Sequence, residues 1–329
     1  MSYKIQNIEP FNDTYYRSCF FNSFFPVIKH FGKAILPYFM YDIMVYVLCD
    51  EKEVLMKSEI VFLEEVNLHR ILKLQGIDMY TTVVYNNIIP FLYENLYCDK
   101  PVILWIDAFY TSYRKDVYHK SHWPHSILVY GCDKETERFY VIDHCRKEDL
   151  LYGKKELSAS ELFESYNAYL SRYLLAENAL ESCYVFEEIG ESCMENVEEY
   201  KEIYRVNLIK HRRIMQRSLD ALQLFANSIS YNFLINNADY LKRFTDGISN
   251  IILNKEFELY RFKQFFPYLN HWSELQKKIT SRWSVIRAKL LKVIFSNKKP
   301  CDLADIVACQ MKSIIQEEYI CYKMLMKNL

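Results

Sequence analysis

Glycine is scarce in this chain, with 6 among 329 residues, where about 7% is usual in globular proteins. Few left-handed turns are therefore available, and a helix-rich protein is expected. Other absences narrow the class further. The start, MSYKIQNIEPFNDTYYRS, has no basic segment followed by an apolar run, so no export signal is read there. No apolar run reaches the ~18 residues of a membrane span; even AILPYFMYDIMVYVL is broken by Pro37 and Asp42. The formal net charge is −1, which offers no global attraction to nucleic acid or to a membrane surface. The 10 cysteines include no CxxC pair. Without an export signal they read as reduced thiols of a cytosolic protein, most of them in the core.

What is present is apolar and aromatic. Hydrophobic residues make up 51% of the chain, with 28 Tyr and 21 Phe, enough for a sizeable core in one catalytic domain plus a second region. Some of those rings are free to line a cavity for a flat, apolar ligand.

Residues 1–194 read as a mixed, α+β domain. SCFFNSFFPVIKHFG (Ser18–Gly32) has helical composition with Pro26 as a kink or late start, and MVYVLCD (Met44–Asp50) reads as a strand. EIVFLEEVNLHRILKLQG (Glu59–Gly76) is expected to be an amphipathic helix, as is NNIIPFLYENLYCDK. PVILWID (Pro101–Asp107) is a short strand. HSILVYG (His125–Gly131) and RFYVID (Arg138–Asp143) flank a polar turn and form an expected hairpin. Ser158 followed by Glu161 is a capping box that opens a helix. Residues 195–329 carry long stretches of helical spacing, such as Trp283, Ile286, Leu290 and Ile294 on one face, and read as a helical C-terminal region.

The stretch DVYHKSHWPHSILVYGCD places His119, His122 and His125 at a three-residue step. Pro124 excludes the interior of an α-helix, and in extended chain residues three apart point to opposite sides. No cysteine or acid stands at zinc-ligand spacing, so no metal and no cofactor is expected. His125 opens a strand whose hairpin partner ends at Asp143. Cross-strand neighbours lie close enough for carboxylate and imidazole to hydrogen-bond, and an acid orienting an imidazole is two-thirds of a nucleophilic triad. Alone, such a pair could equally serve structure; the candidate third member is Cys19, at the head of a helical stretch, where the helix dipole and free amides lower a thiol's pKa.

The segment KPVILWIDAFYTSYRKDVYHKSHWPHSILVYGCD…RFYVID resembles the N-terminal domain of the butirosin biosynthesis H-protein family. The counterparts of its pattern are Asp107, Tyr113, Tyr118, His122, His125, Gly131, Asp133 and Asp143, with Cys19 and Ser23 matching an early Cys-x-x-x-Ser helix. The resemblance implies a papain-like fold, with an antiparallel sheet and a nucleophile helix. It further implies an acyltransferase that moves an acyl group from a carrier-protein thioester to a small amine in natural-product biosynthesis. On that basis Cys19 is the acylated nucleophile, His125 the general base and acid, and Asp143 its orienter. Papain's glutamine before the cysteine is absent, and Asn12 with the Cys19 amide is the expected oxyanion hole. Asp107, Tyr110, Tyr113, Tyr118, His122 and Trp123 are expected to contact substrate. A cysteine peptidase or amide hydrolase would use the same three residues, and a binding protein on this fold would need none of them. Because carrier proteins are acidic, a basic dock is expected in His271–Lys299, which holds Lys277, Lys278, Arg282, Arg287, Lys289, Lys292, Lys298 and Lys299 against the acid Glu274.

Overall fold

A computed structural model describes residues 2–49, 56–62, 68–146, 149–174, 181–190, 196–229, 238–296 and 303–329. The chain forms two compact units, one of Met1–Tyr38 with Asn67–Glu195, the other of Phe39–Val66 with Asn196–Leu329. The second unit takes up the chain again at Asn196. The assignment of residues 39–66 differs, because the hairpin they contain packs on the C-terminal helices.

The first unit is built on a seven-stranded antiparallel sheet. Its strands are β1 (Ser2–Lys4), β4 (Ile77–Thr82), β5 (Val102–Asp107), β6 (Pro124–Asp133), β7 (Arg138–Arg146), β8 (Asp149–Ser158) and β9 (Cys183–Glu188). They run in the order β4-β9-β5-β6-β7-β8, with β1 on β6. The β6–β7 hairpin forms where the sequence indicates, closing at Asp133↔Arg138 with a bulge between Val129 and Gly131. Gly131 is required for a local reason: a Cβ there would lie 2.6 Å from the carbonyl oxygen of Tyr3 on β1. Val102, Ile103, Leu104 and Ile106 of β5 and Ile127, Leu128 and Val129 of β6 are fully buried.

Among the described residues four α-helices accompany the sheet: α1 (Cys19–His30), α2 (Leu68–Leu74), α3 (Ile88–Tyr97) and α4 (Ala159–Tyr169). Helix α1 runs through Pro26 and packs on β6 and β5. Helix α4 opens with the capping box of Ser158 and Glu161. The helix expected over Glu59–Gly76 is a correction. Glu59–Phe62 belong to a strand, Leu68–Leu74 alone are helical, and residues 63–67 lie outside the described residues. The β-branched pair Ile60–Val61 finds backbone partners in Met44 and Ile43, and that pairing outweighs the helical spacing.

The second unit contains the hairpin of β2 (Asp42–Leu48) and β3 (Met56–Phe62). Its helices are α5 (Val197–Lys210), α6 (Arg212–Ser228), α7 (Ala238–Phe265), α8 (Asn270–Ser296) and α9 (Leu303–Asn328). Trp283, Ile286 and Leu290 are buried as the spacing requires, with Val293 rather than Ile294 closing the stripe. Among the described residues no helix is long and apolar enough to cross a membrane.

This unit's core is charged. Lys255 donates to Glu318 at 2.5 Å and to Gln276 at 3.2 Å, and Tyr46 donates to the second oxygen of Glu318 at 2.5 Å. Arg261, fully buried, bridges Asp42 and Glu258 and donates to the carbonyl of Asp42 at 3.1 Å. Removing one partner of a buried ion pair leaves an uncompensated charge, at a cost of about 3–5 kcal/mol. Arg261→Met is therefore expected to destabilise the protein by about that amount in urea unfolding. A loss below about 1 kcal/mol would show that the pair is dispensable.

Candidate active site

His125 lies on β6 one residue past Pro124, and Asp143 lies on β7. The last paired positions before the sheet end are Leu128↔Ile142. Continuing that register sets Asp143 across from Ile127, so His125 and Asp143 are diagonal neighbours on one face rather than direct opposites. The diagonal is spanned: His125 Nε2 and Asp143 Oδ1 are 2.6 Å apart, and both side chains are fully buried.

Asp143 is held from every side. Tyr113 donates its hydroxyl to Oδ2 at 2.7 Å, the backbone N–H of His144 donates to Oδ1 at 2.6 Å, and Arg114 Nη1 stands 3.8 Å from Oδ2. Burial alone would raise its pKa, but the His125 charge and hydrogen bond, with His144 and Arg114, bring it below the usual value. Arg114 is itself fully buried, paired with Asp116 and set over the Trp123 ring at 4.6 Å. The Trp123 ring in turn stacks on His125 at 5.2 Å. The imidazole is thus fixed at one edge by a carboxylate and on one face by an indole.

Cys19 is the first residue of α1, and its surroundings follow from the turn before it. Arg17 has φ +56° and Ser18 N–H bonds to the carbonyl of Tyr16 at 2.6 Å, a tight left-handed kink for a residue with a Cβ. Asn22 braces that kink, accepting from Tyr16 N–H at 3.3 Å and donating to the Thr14 carbonyl at 3.0 Å. Ser18 makes no side-chain cap, so the first-turn amides of α1 are not consumed by it. Burial pushes the Cys19 thiol up, yet the His125 charge and hydrogen bonds to His125 and Ser126 bring it below its ordinary value. His125 responds in the opposite sense. Burial lowers it, but Asp143 and Cys19 raise it to about 10. These directions describe a thiolate beside an imidazolium. Asp143 occupies Nε2 of His125, while the buried Nδ1 has no hydrogen-bond partner among the described residues.

His125, Asp143 and His144 present ligand atoms within 4.8 Å of one another, which raises the question of a metal. Two of the three are already engaged. Asp143 accepts from His125, Tyr113 and His144 N–H, and a protonated imidazole has no lone pair left for an ion.

Several expected contacts take other places. Asn12 spans β8 instead of facing an oxyanion: its Nδ2 donates to the Tyr152 carbonyl at 2.9 Å and its Oδ1 accepts from Tyr152 N–H at 2.8 Å. Tyr113 is engaged with Asp143 and supports the acid instead of lining a wall. Asp107 is fully buried at the end of β5, accepting from Phe109 N–H and Trp123 N–H, each at 3.1 Å, and from His122 Nδ1 at 2.6 Å. Arg172 Nη2 lies 3.1 Å from His122 Nε2. Guanidinium nitrogens only donate, so His122 carries its proton on Nδ1. The Phe109 ring stacks on His122 at 4.2 Å, and Tyr110 sits against Phe109 at 5.0 Å. His119, at φ +52°, stacks on Tyr118 at 4.1 Å. The three histidines therefore separate: one on Asp143, one on Asp107, one in a surface stack.

Arg114, Ser126, His144 and Tyr152 were not legible as site residues. His144 sits in a T-shaped contact with His125 at 4.8 Å, and its Nδ1 bonds the carbonyl of Arg146 at 2.6 Å. Burial, reinforced by the His125 charge, keeps it below the usual histidine value. Its position next to Asp143 was the available signal.

Residues 63–144 match the family model of butirosin biosynthesis protein H, N-terminal. The butirosin-H-type segment contains Asp107, Tyr113, His122, His125 and Asp143. Cys19 stands before it, outside the matched residues. No curated protein sequence matches the chain.

Proposed function

We propose that the first unit is a papain-like cysteine acyltransferase that moves an acyl group from a carrier-protein thioester to a small amine, in the biosynthesis of an antibiotic-type natural product. The observation that carries this reading is the thiol at the start of α1 beside the buried His125–Asp143 pair. The butirosin-H-type segment, named for a biosynthesis protein, supports the biosynthetic setting.

In this mechanism Cys19 Sγ attacks the thioester carbonyl. The carbonyl electrons move to oxygen, the first-turn amides of α1 face the charge, and collapse releases the donor thiolate, which takes the His125 proton. The donor is already activated, so one thioester replaces another with little driving force required. An amine then attacks the acyl-enzyme, His125 accepts its proton, and Cys19 leaves as thiolate. Asp143 stays ionised throughout and holds the ring.

For the carrier, the basic face of α8 is the proposed dock. Lys277 is paired with Glu274 and both Lys278 and Arg282 with Glu317, while Arg287 donates to Ser249 at 2.7 Å. Lys292 is exposed and Lys289 half-buried, and these two are the proposed contacts. Lys298 and Lys299 lie outside the described residues.

The test is intact-mass measurement of the acylated protein mixed with a panel of small primary amines or with buffer alone. Adduct decay at least ~10-fold faster with an amine, giving an amide, is expected for a transferase. Decay to the free acid that ignores amines would identify a hydrolase. A faster acylation by carrier than by a small thioester, lost on reversing Lys289 and Lys292 to Glu, is expected of the dock.

A further inference from the structure

The acyl-transfer reading requires a donor for the negative oxygen of the tetrahedral intermediate, and Asn12 is engaged elsewhere. The molecule offers another group. Tyr152 lies on β8 directly across from His144, next to the pair Asp143↔Gly153. Its ring is 5.0 Å from that of His144, which itself touches the His125 ring. The side chain is 2% exposed, yet its hydroxyl has no hydrogen-bond partner among the described residues. A buried hydroxyl left unpaired costs about 1–3 kcal/mol, and such groups are rare unless a ligand or water completes them.

The backbone around this hydroxyl is fixed to the nucleophile's own loop. Asn12 grips both the N–H and the carbonyl of Tyr152, while Asn22 ties Phe11 and Thr14 of the same loop to α1. Burial first, and then the charges of Cys19 and Asp143, hold the phenol well above its usual pKa, so it stays protonated and able to donate. Tyr15, half-buried, is likewise kept protonated by burial and by the Cys19 sulfur.

We propose that Tyr152 is a catalytic residue whose hydroxyl donates a hydrogen bond to the oxyanion formed when Cys19 attacks a thioester carbonyl, with Asn12 as the residue that positions it. The inference rests on the acyl-transfer reading. No proton is transferred by the phenol: the C–S bond to Cys19 forms, the carbonyl electron pair rests on oxygen under the Tyr152 hydroxyl, and it returns as the donor's C–S bond breaks.

The experiment compares two reactions of Cys19 in wild type and Tyr152→Phe. One is acylation by an acyl-N-acetylcysteamine thioester, followed by intact mass; the other is alkylation by iodoacetamide, which displaces iodide and forms no oxyanion. Loss of one oxyanion donor is expected to slow acylation by roughly 10²-fold, with alkylation within about threefold of wild type. The thermal midpoint is expected to be unchanged or higher, because no hydrogen bond is removed. Asn12→Ala, which frees β8, is expected to show the same split in weaker form. Equal acylation in Tyr152→Phe and wild type overturns the assignment. So does a parallel fall in both reactions, which would make Tyr152 a support for the thiolate. If wild-type Cys19 is alkylated but never acylated by any thioester, the acyl-transfer reading fails and the assignment falls with it.

Discussion

No covalent acyl adduct is expected on the Cys19→Ala protein under conditions chosen to acylate the wild type fully. This is the largest effect expected of any substitution. In the proposed mechanism the Cys19 thiolate is the nucleophile, and alanine offers no second group that can attack. Cys132, Cys183 and Cys321 are buried, and burial raises each of those thiols, so none competes at neutral pH. Cys98 and Cys309 are exposed and serve as internal controls: they continue to react with iodoacetamide in the variant. Intact mass and peptide mapping make the measurement. An adduct of undiminished yield on Cys19→Ala would end the nucleophile assignment.

The second large effect belongs to Asp143→Asn. In this variant the chain keeps its shape at the site, but the charge facing His125 and Arg114 is gone. The amide stabilises neither the imidazolium nor the right orientation of the ring, and acylation is expected to fall by roughly 10³–10⁴-fold, as in other triads that lose this charge. A pH profile separates this from simple damage. In wild type the thiolate is sustained by its imidazolium neighbour, so alkylation of Cys19 persists as pH falls below the range where free thiols ionise. On the alkaline side acylation is expected to decline as pH rises through about 10, where His125 loses the proton that the leaving thiolate takes. Asparagine weakens the imidazolium, so the alkylation profile moves to higher pH. An Asp143→Asn enzyme with the wild-type profile and near wild-type rate would remove Asp143 from the mechanism.

The shell around Asp143 explains why this carboxylate tolerates full burial. A buried carboxylate is costly unless its lone pairs are met. Here a phenol, a backbone N–H and an imidazole meet them, with a guanidinium nearby. The same saturation argues against a metal, and it leaves the imidazole's other edge for sulfur.

Local chemistry made much of this readable in advance. The β6–β7 hairpin follows from two apolar runs around a polar turn, α4 from its Ser158–Glu161 box, and the divergence of the histidines from Pro124 and an extended chain. Those features depend on neighbours within a few residues, so sequence alone determined them. Cys19 at a helix start and His125 near Asp143 were legible for the same reason. What tertiary structure decided depends on contacts distant in sequence. Glu59–Phe62 carry helical spacing, yet strand pairing with residues 42–45 claims them, and the hairpin goes to the second unit. Asn12 resembles an oxyanion donor in sequence, but 140 residues away lies the β8 backbone that takes both ends of its amide. Tyr152 carries no local mark at all. Its ring comes beside His144 because β8 pairs with β7 next to Asp143, a register set by the whole sheet. Residue type and spacing specify which groups are able to react; only the packed sheet specifies which of them meet.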